Sequence, residues 1–507
     1  MESVGRVAAG ETSDSDMTPG RGAVPRLALA AILAVAAVPR VLEALRNPLS
    51  FEEIYIVFLA RTGLVNTVLT LAHDVDQPLF HSLLTIWRRI GGESELWIKS
   101  LSILIGLATI LVVFALGRRL FGTRAGLFAA LLLSTNPTHI YFSQHANVEV
   151  LLWLLLPLAA WRAVCWWERP SLANGMWFAL AAAASLYTYY FAIFILLALL
   201  LWGLVRGWAE SRAPSPERAR PSLWAWLGLF AFALALFTPQ LPVLVGQFTR
   251  DPESVRKLPL LPLRDVVSAY RRMINAPRLL TPVLALFAFV PVFSRRLRIA
   301  ALLPLMVLVV PVAIVFTLSQ AGVRIFFQQQ LLYGTPFAPL AIGAGLAMLA
   351  PRPLGIALVL VLALLGLRAW RSQGPLEESF DLSRAGNFLA THARRGDLIL
   401  ACEPHAMLFM QYHHPELGPY RLLLPPEASR YHVSDGILAV PDSLRETGEQ
   451  WDAERARGRR WWAVRVEHFP HYRDGAEAAA RVEAARGSRV WSYHKSTVWS
   501  GQSDPEP

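Results

Sequence analysis

The residues best suited to chemistry crowd into one long polar stretch, about residues 46 to 94. It opens with Phe51-Glu52-Glu53-Ile54-Tyr55. Adjacent side chains on a helix point about 100° apart, so the two carboxylates cannot act as a matched pair on one substrate atom. One faces a cavity while the other supports it or binds elsewhere. A carboxylate half-buried at a membrane surface has a raised pKa and can serve as a general base. The pair also reads as a solvated acidic helix start, a place the macrodipole favours for acids.

Downstream stands His73-Asp74-Val75-Asp76-Gln77-Pro78-Leu79-Phe80, a histidine, two acids and an amide just before a proline. These are ligand types for a divalent cation, but their spacing matches no strong metal motif. An amphipathic stretch follows and ends at Trp87-Arg88-Arg89, suited to lie in the membrane interface with its aromatics at headgroup level. Farther along, Gln144 and His145 are polar residues next to an apolar run, and His405, His413 and His414 lie near the C-terminal end. With no zinc-type constellation beside them, those three histidines read as surface or strand-end residues. Cys165 and Cys402 are the only cysteines, so neither a disulfide framework nor a cysteine cluster is available.

The elements that must position these residues follow from composition. Of 507 residues 54% are hydrophobic and 17% charged, against about 25% charged in a soluble domain, and mean hydropathy is +0.39. Apolar runs reach the ~20 residues needed to cross a bilayer. Spans are predicted near 26–45, 95–117, 124–141, 147–166, 173–187, 189–206, 223–246, 278–294, 299–318, 327–349 and 354–371, about eleven in all. Residues 1–24 are polar and rich in Gly and Ser, and read as a disordered tail.

The net charge is +11 and lysine occurs only at Lys99, Lys257 and Lys495. Arginine clusters at 118–124, 206–220 and 295–298 fall on one side of the predicted bundle, which the positive-inside rule makes cytoplasmic together with the N-terminal tail. Long loops at 46–94 and 247–277 then lie on the opposite face, as does everything after 371. No basic patch is interleaved with aromatics in a soluble segment, which argues against nucleic acid as a partner.

Residues 372–507 change to mixed, charged composition. A helix is expected at 381–394, strands at 398–401, 420–424 and 461–466, and helices at 442–457 and 474–486, which make a small α/β domain. The fold class expected is therefore an all-α polytopic membrane protein, residues 25–371, with a small C-terminal α/β domain.

The order of the loop motifs resembles the GT-C class of polytopic membrane glycosyltransferases, and within it the bacterial relatives of protein O-mannosyltransferases and of the lipid A aminoarabinose transferase. Their Asp-Glu followed by His-Pro-Pro-Leu-Tyr is matched by Glu52-Glu53 and Asp76-Gln77-Pro78-Leu79-Phe80. The likeness continues through Leu96-Trp97-Ile98-Lys99-Ser100, Gly117-Arg118-Arg119-Leu120-Phe121-Gly122 and Asn136-Pro137 to Tyr141-Phe142-Ser143-Gln144-His145-Ala146-Asn147. It covers roughly the first 200 residues well and the rest by topology.

The resemblance implies an inverting transferase of the cytoplasmic membrane. It would work from the outer face on a polyprenyl-phosphate-linked sugar, with a lipid, glycan or protein acceptor and membrane lipids as partners. Glu52 would be the base, or orient the acceptor, with Glu53 as its support. His73, Asp76, Gln77, Gln144 and His145 would bind substrate, and the donor phosphate would be met by Lys99, Arg271, Arg272 and above all Arg324. No cofactor is called for, and a divalent metal stays open. The chain departs from the family pattern in having Glu52 where Asp is usual, and His145 and Asn147 where Glu and Arg are usual. A lipid or solute transporter, or an inactive scaffold of the same fold, is the alternative. A transporter should show mid-span charges and an internal repeat, and no repeat is visible.

Overall fold

The computed structural model describes residues 23–74, 76–212, 221–250, 259–275, 279–326, 328–372, 377–423, 445–446, 450–451, 460–466, 473–484, 488–493 and 496–502. Among the described residues seven helices are long and apolar enough to cross a membrane: Ala23–Arg46, Glu95–Phe121, Val148–Glu168, Ala192–Arg212, the segment Leu223–Gln247, Arg298–Gln320 and Arg352–Arg371.

The other four expected spans are helical but shorter, and the count of eleven is not reproduced. The expected span 124–141 shows why. Pro137 cannot donate to the preceding turn, and the Asn136 side chain instead accepts the His139 N–H at 3.0 Å. The chain therefore splits into Thr123–Ser134 and a separate short helix, Pro137–Ser143. Leu172–Thr188 has 17 residues. Thr281–Phe289 runs on into 3₁₀ turns, and Phe337–Ala347 is preceded by a 3₁₀ segment, Gln328–Gly334.

Small residues let these helices approach closely, as membrane bundles require. A Cβ placed on Gly345 would lie 1.9 Å from the Phe287 carbonyl oxygen. Gly345→Ala must therefore push two backbones apart, at a cost of about 1–3 kcal/mol or more. It should lower the melting temperature of the purified protein and its folded yield, whereas Gly228→Ala, which meets nothing within 4 Å, should change neither.

The polar stretch after the first membrane helix folds into three helices, Phe51–Arg61, Leu64–Leu71 and Pro78–Gly91. The C-terminal part holds a six-stranded sheet of order β3-β2-β1-β4-β6-β5. Its strands are β1 Leu398–Ala401, β2 Tyr420–Leu423, β3 Arg445–Glu446, β4 Arg460–Val466, β5 Ser488–Tyr493 and β6 Ser496–Gln502. β1 runs parallel to β2 and β4, and β6 antiparallel to β4 and β5.

Three of these strands match expectation. β3 falls inside the stretch expected to be the helix 442–457; Gln450 and Trp451 are helical, and most of the rest lies outside the described residues. Two residues pairing with β2 are too short to leave a period in the sequence. The β5–β6 hairpin was not foreseen either.

Alternate strand residues face opposite ways, and two clusters follow from that. Leu398, Leu400, Trp461, Ala463 and Trp499 pack with the helix Arg473–Ala484. Ile399, Ala401, Trp462, Val464 and Val498 share a core with the helices Glu377–His392 and Pro404–His413 and with Phe51, Ile54, Tyr55 and Phe80. One face of the sheet is thus joined through apolar contact to the loop that carries the acidic pair.

Candidate active site

Ser50 begins the Glu52 helix with a capping box. Its Oγ accepts the Glu53 N–H, and its own N–H donates to Glu53 Oε2 at 2.8 Å. Glu53 Oε1 accepts the Ala146 N–H at 2.7 Å, and the residue is 1% exposed. Both carboxylate oxygens of Glu53 are therefore committed to backbone N–H groups from two distant parts of the chain.

Glu52, turned about 100° away, is exposed. Its carboxyl is nevertheless sunk among protein atoms. That desolvation, reinforced by the negative charges of Asp76 and Glu53, raises its pKa to about 7. A carboxylate poised near neutrality is a far better proton acceptor than an ordinary one.

Asp76 is electrostatically coupled to Glu52 and pairs with His81, Nε2 to Oδ2 3.5 Å, the imidazole being fully buried. Gln77 is buried at the start of the following helix and interacts with the Tyr190 hydroxyl. His73 is exposed and does not join this group. Its neighbour Asp74, read in the sequence only as one of two acids of cation-ligand type, is the buried one. It accepts from the Tyr55 hydroxyl, and its carbonyl accepts from Gln247 Nε2 at 2.6 Å.

Glu149 was also missed. It is electrostatically coupled to Glu52 and Asp76 and stands in the first turn of the Val148–Glu168 helix, where the Asn147 side chain caps its N–H at 2.8 Å. The Asn-x-Glu signal of a helix start was legible there.

A cavity of about 550 Å³ has walls that include Glu43, Tyr141, Gln144, His145, Arg271 and Arg272, and Glu52 is not among the residues that line it. Four residues expected to bind substrate thus meet in one space, although they come from two elements more than 120 positions apart. Tyr141 joins the cavity to the acids, because it interacts with Glu52, Glu53 and Glu149 on one side and Arg272 on the other; burial and those acids push its pKa up to about 12. Burial lowers the pKa of Arg272.

His145 Nδ1 lies 2.7 Å from the Tyr141 carbonyl. A carbonyl only accepts, so Nδ1 carries the proton and the ring is held as one neutral tautomer; burial lowers its pKa.

The structure does not bring the other two expected cations here. Lys99 is fully buried and donates to the carbonyls of Asn47 at 2.6 Å and Pro48 at 3.2 Å. Arg324 is exposed in the loop after Arg298–Gln320 and does not line the cavity. Arg88, too, is engaged, with Glu93 at 2.5 Å.

Lys99→Met leaves two buried carbonyls unpaired, at about 1–3 kcal/mol each. It should lower the melting temperature of the purified protein, and an unchanged melting temperature would show that the two carbonyls do not depend on Lys99.

The C-terminal histidines also differ from expectation. His405 is fully buried, its ring edge-on to Phe51 at 5.4 Å, and His413 lies 3.5 Å from Glu95. Among the described residues no group of three His, Cys, Asp or Glu side chains is arranged to hold a metal ion.

A family model described as dolichyl-phosphate-mannose-protein mannosyltransferase matches residues 76–243, the part of the chain that carries Asp76, Tyr141, His145 and Glu149. ArnT from Cupriavidus metallidurans bound to undecaprenyl phosphate superposes with a TM-score of 0.63 at 15% identity, over 95% of this chain and 98% of that one. The chain shares the fold of this ArnT. The apo state of the same ArnT superposes on this chain with a TM-score of 0.58 at 14% identity, over the same shares of both chains. No curated protein matches it by sequence. The family match and the shared fold support a GT-C glycosyltransferase built as a multi-pass membrane protein.

Proposed function

We propose that this protein moves a sugar from a polyprenyl-phosphate donor to a lipid, glycan or protein acceptor on the outer face of the cytoplasmic membrane. Its N-terminus would be cytoplasmic and its C-terminal domain outside. The observation that carries this reading is the pairing of a carboxylate poised near pH 7, Glu52, with an arginine-walled cavity reached through Tyr141. The ArnT of similar fold was solved with undecaprenyl phosphate bound, which supports a donor of that lipid class.

In the proposed reaction the acceptor oxygen attacks the anomeric carbon, and its proton passes to Glu52. The bond from that carbon to the phosphate oxygen breaks, and the electron pair leaves with polyprenyl phosphate. Attack from the face opposite the leaving group inverts the anomeric centre. Arg271 and Arg272 stabilise the leaving phosphate, because fixed cations in a water-poor site act most strongly where negative charge accumulates. Glu53 holds the helix start and the Ala146 backbone in register. Asp76 and Glu53 keep the local potential negative, which makes Glu52 a stronger base.

The test is mass spectrometry of membrane glycans and glycoproteins from cells with and without the protein, followed by transfer assays with the purified protein and undecaprenyl-phosphate sugars. A sugar missing from one acceptor class supports the reading. Ligand movement into proteoliposomes without a covalent product would replace it with transport.

A further inference from the structure

The segment from Asn47 to Ser50 joins the first membrane helix to the Glu52 helix and is not itself helical. Its buried polar backbone groups must therefore find partners one by one. Lys99 takes the carbonyls of Asn47 and Pro48, and Glu53 takes the Ser50 N–H. Between them, the Leu49 main chain interacts with Glu95 and with the ring of His413, and the Leu49 side chain is fully buried.

His413 comes from far along the chain, in the last turn of Pro404–His413 in the C-terminal domain. The same helix makes two more anchors. His405 packs its ring on Phe51, the residue before Glu52, and the Tyr412 hydroxyl donates to the Glu93 carbonyl at 2.8 Å.

We propose that His413 is a positioning residue: with its Nδ1 3.5 Å from Glu95 and its ring set against the Leu49 main chain, it fixes the angle at which the Glu52 helix starts, so that the C-terminal domain completes the active site. The inference rests on Glu52 being the base, as proposed above. Its physical basis is the sensitivity of proton transfer and attack to placement, since about 1 Å of displacement can cost 10²-fold in rate.

The experiment uses the full-length protein in lipid nanodiscs, with hydrogen–deuterium exchange of residues 47–56 and steady-state transfer from an undecaprenyl-phosphate sugar measured on the same samples. His413→Ala should speed exchange in that segment at least about tenfold and lower kcat by about tenfold, with KM for the donor unchanged. His413→Gln keeps a donor of similar reach and should recover most of both. Val482→Ala, a cavity on the far face of the sheet, should change neither.

Unchanged exchange in His413→Ala sinks the clamp while leaving the transferase reading intact. Equal effects from Val482→Ala would reduce it to general domain stability. Faster exchange in a protein whose wild type transfers no sugar would uphold the clamp and sink the transferase reading.

Discussion

Glu52→Gln is expected to lower sugar transfer by about 10²–10⁴-fold, the usual worth of a positioned general base, without lowering expression or melting temperature. The amide is nearly isosteric, and Glu52 makes no hydrogen bond on which the fold depends, in contrast to Glu53, whose two oxygens tie Ser50 to Ala146.

The pH profile provides the sharper test. A protonated Glu52 cannot accept a proton, so wild-type kcat should rise with pH through a midpoint near the raised pKa of about 7. Burial is the largest cause of that shift, and Asp76 is the first of the charges that add to it. Asp76→Asn removes one negative neighbour and should move the midpoint to lower pH while weakening the base. Transfer that survives in Glu52→Gln, or a midpoint that ignores Asp76→Asn, would take the role of base away from Glu52.

The second large effect is expected at the opposite wall of the site. Replacing both Arg271 and Arg272 with Ala should cost about 10²–10³-fold in turnover, the range seen when a fixed donor to a developing negative charge is removed. It should also weaken binding of undecaprenyl phosphate itself, read by native mass spectrometry or a fluorescent lipid analogue. The Lys pair should restore only part of the loss, because an ammonium cannot make the bidentate contact of a guanidinium. If undecaprenyl phosphate binds the double-Ala variant as it binds wild type, the phosphate lies elsewhere and Arg324 becomes the next residue to replace.

Much of this site was legible because its first components are local. The Glu52-Glu53 pair sits one helical step apart, and the 100° between the two side chains alone implies different duties. The structure shows both oxygens of Glu53 taken by backbone N–H groups, while Glu52 carries the raised pKa. The Asp76-Gln77-Pro78 turn was legible for the same reason, since Pro78 at the first helical position marks where the chain re-enters helix.

Lys99 went the other way. A lone lysine at the head of a membrane span is equally suited by sequence to a lipid phosphate or to buried carbonyls. What separates the two is the position of Asn47 and Pro48, 52 and 51 residues earlier. Glu149 was passed over because an acid in a first turn is ordinary, and only its closeness to Glu52 and Asp76 gives it meaning.

What the sequence determined by itself is the kind of molecule this is: an apolar helical bundle, an acidic loop after the first membrane helix, and a small domain of mixed strand and helix at the end. Period and composition are properties of neighbouring residues, and they survive without knowledge of the fold. Only the tertiary structure decided which polar groups share a space. It brought Arg271 and Arg272 to the Tyr141 wall, turned His73 and Arg324 away, and set His413 against Leu49. Those are contacts between residues tens to hundreds of positions apart. They arise where helices are broken, as at Asn136-Pro137, and where one sheet face is packed on the loop, and neither event leaves a repeat in the chain.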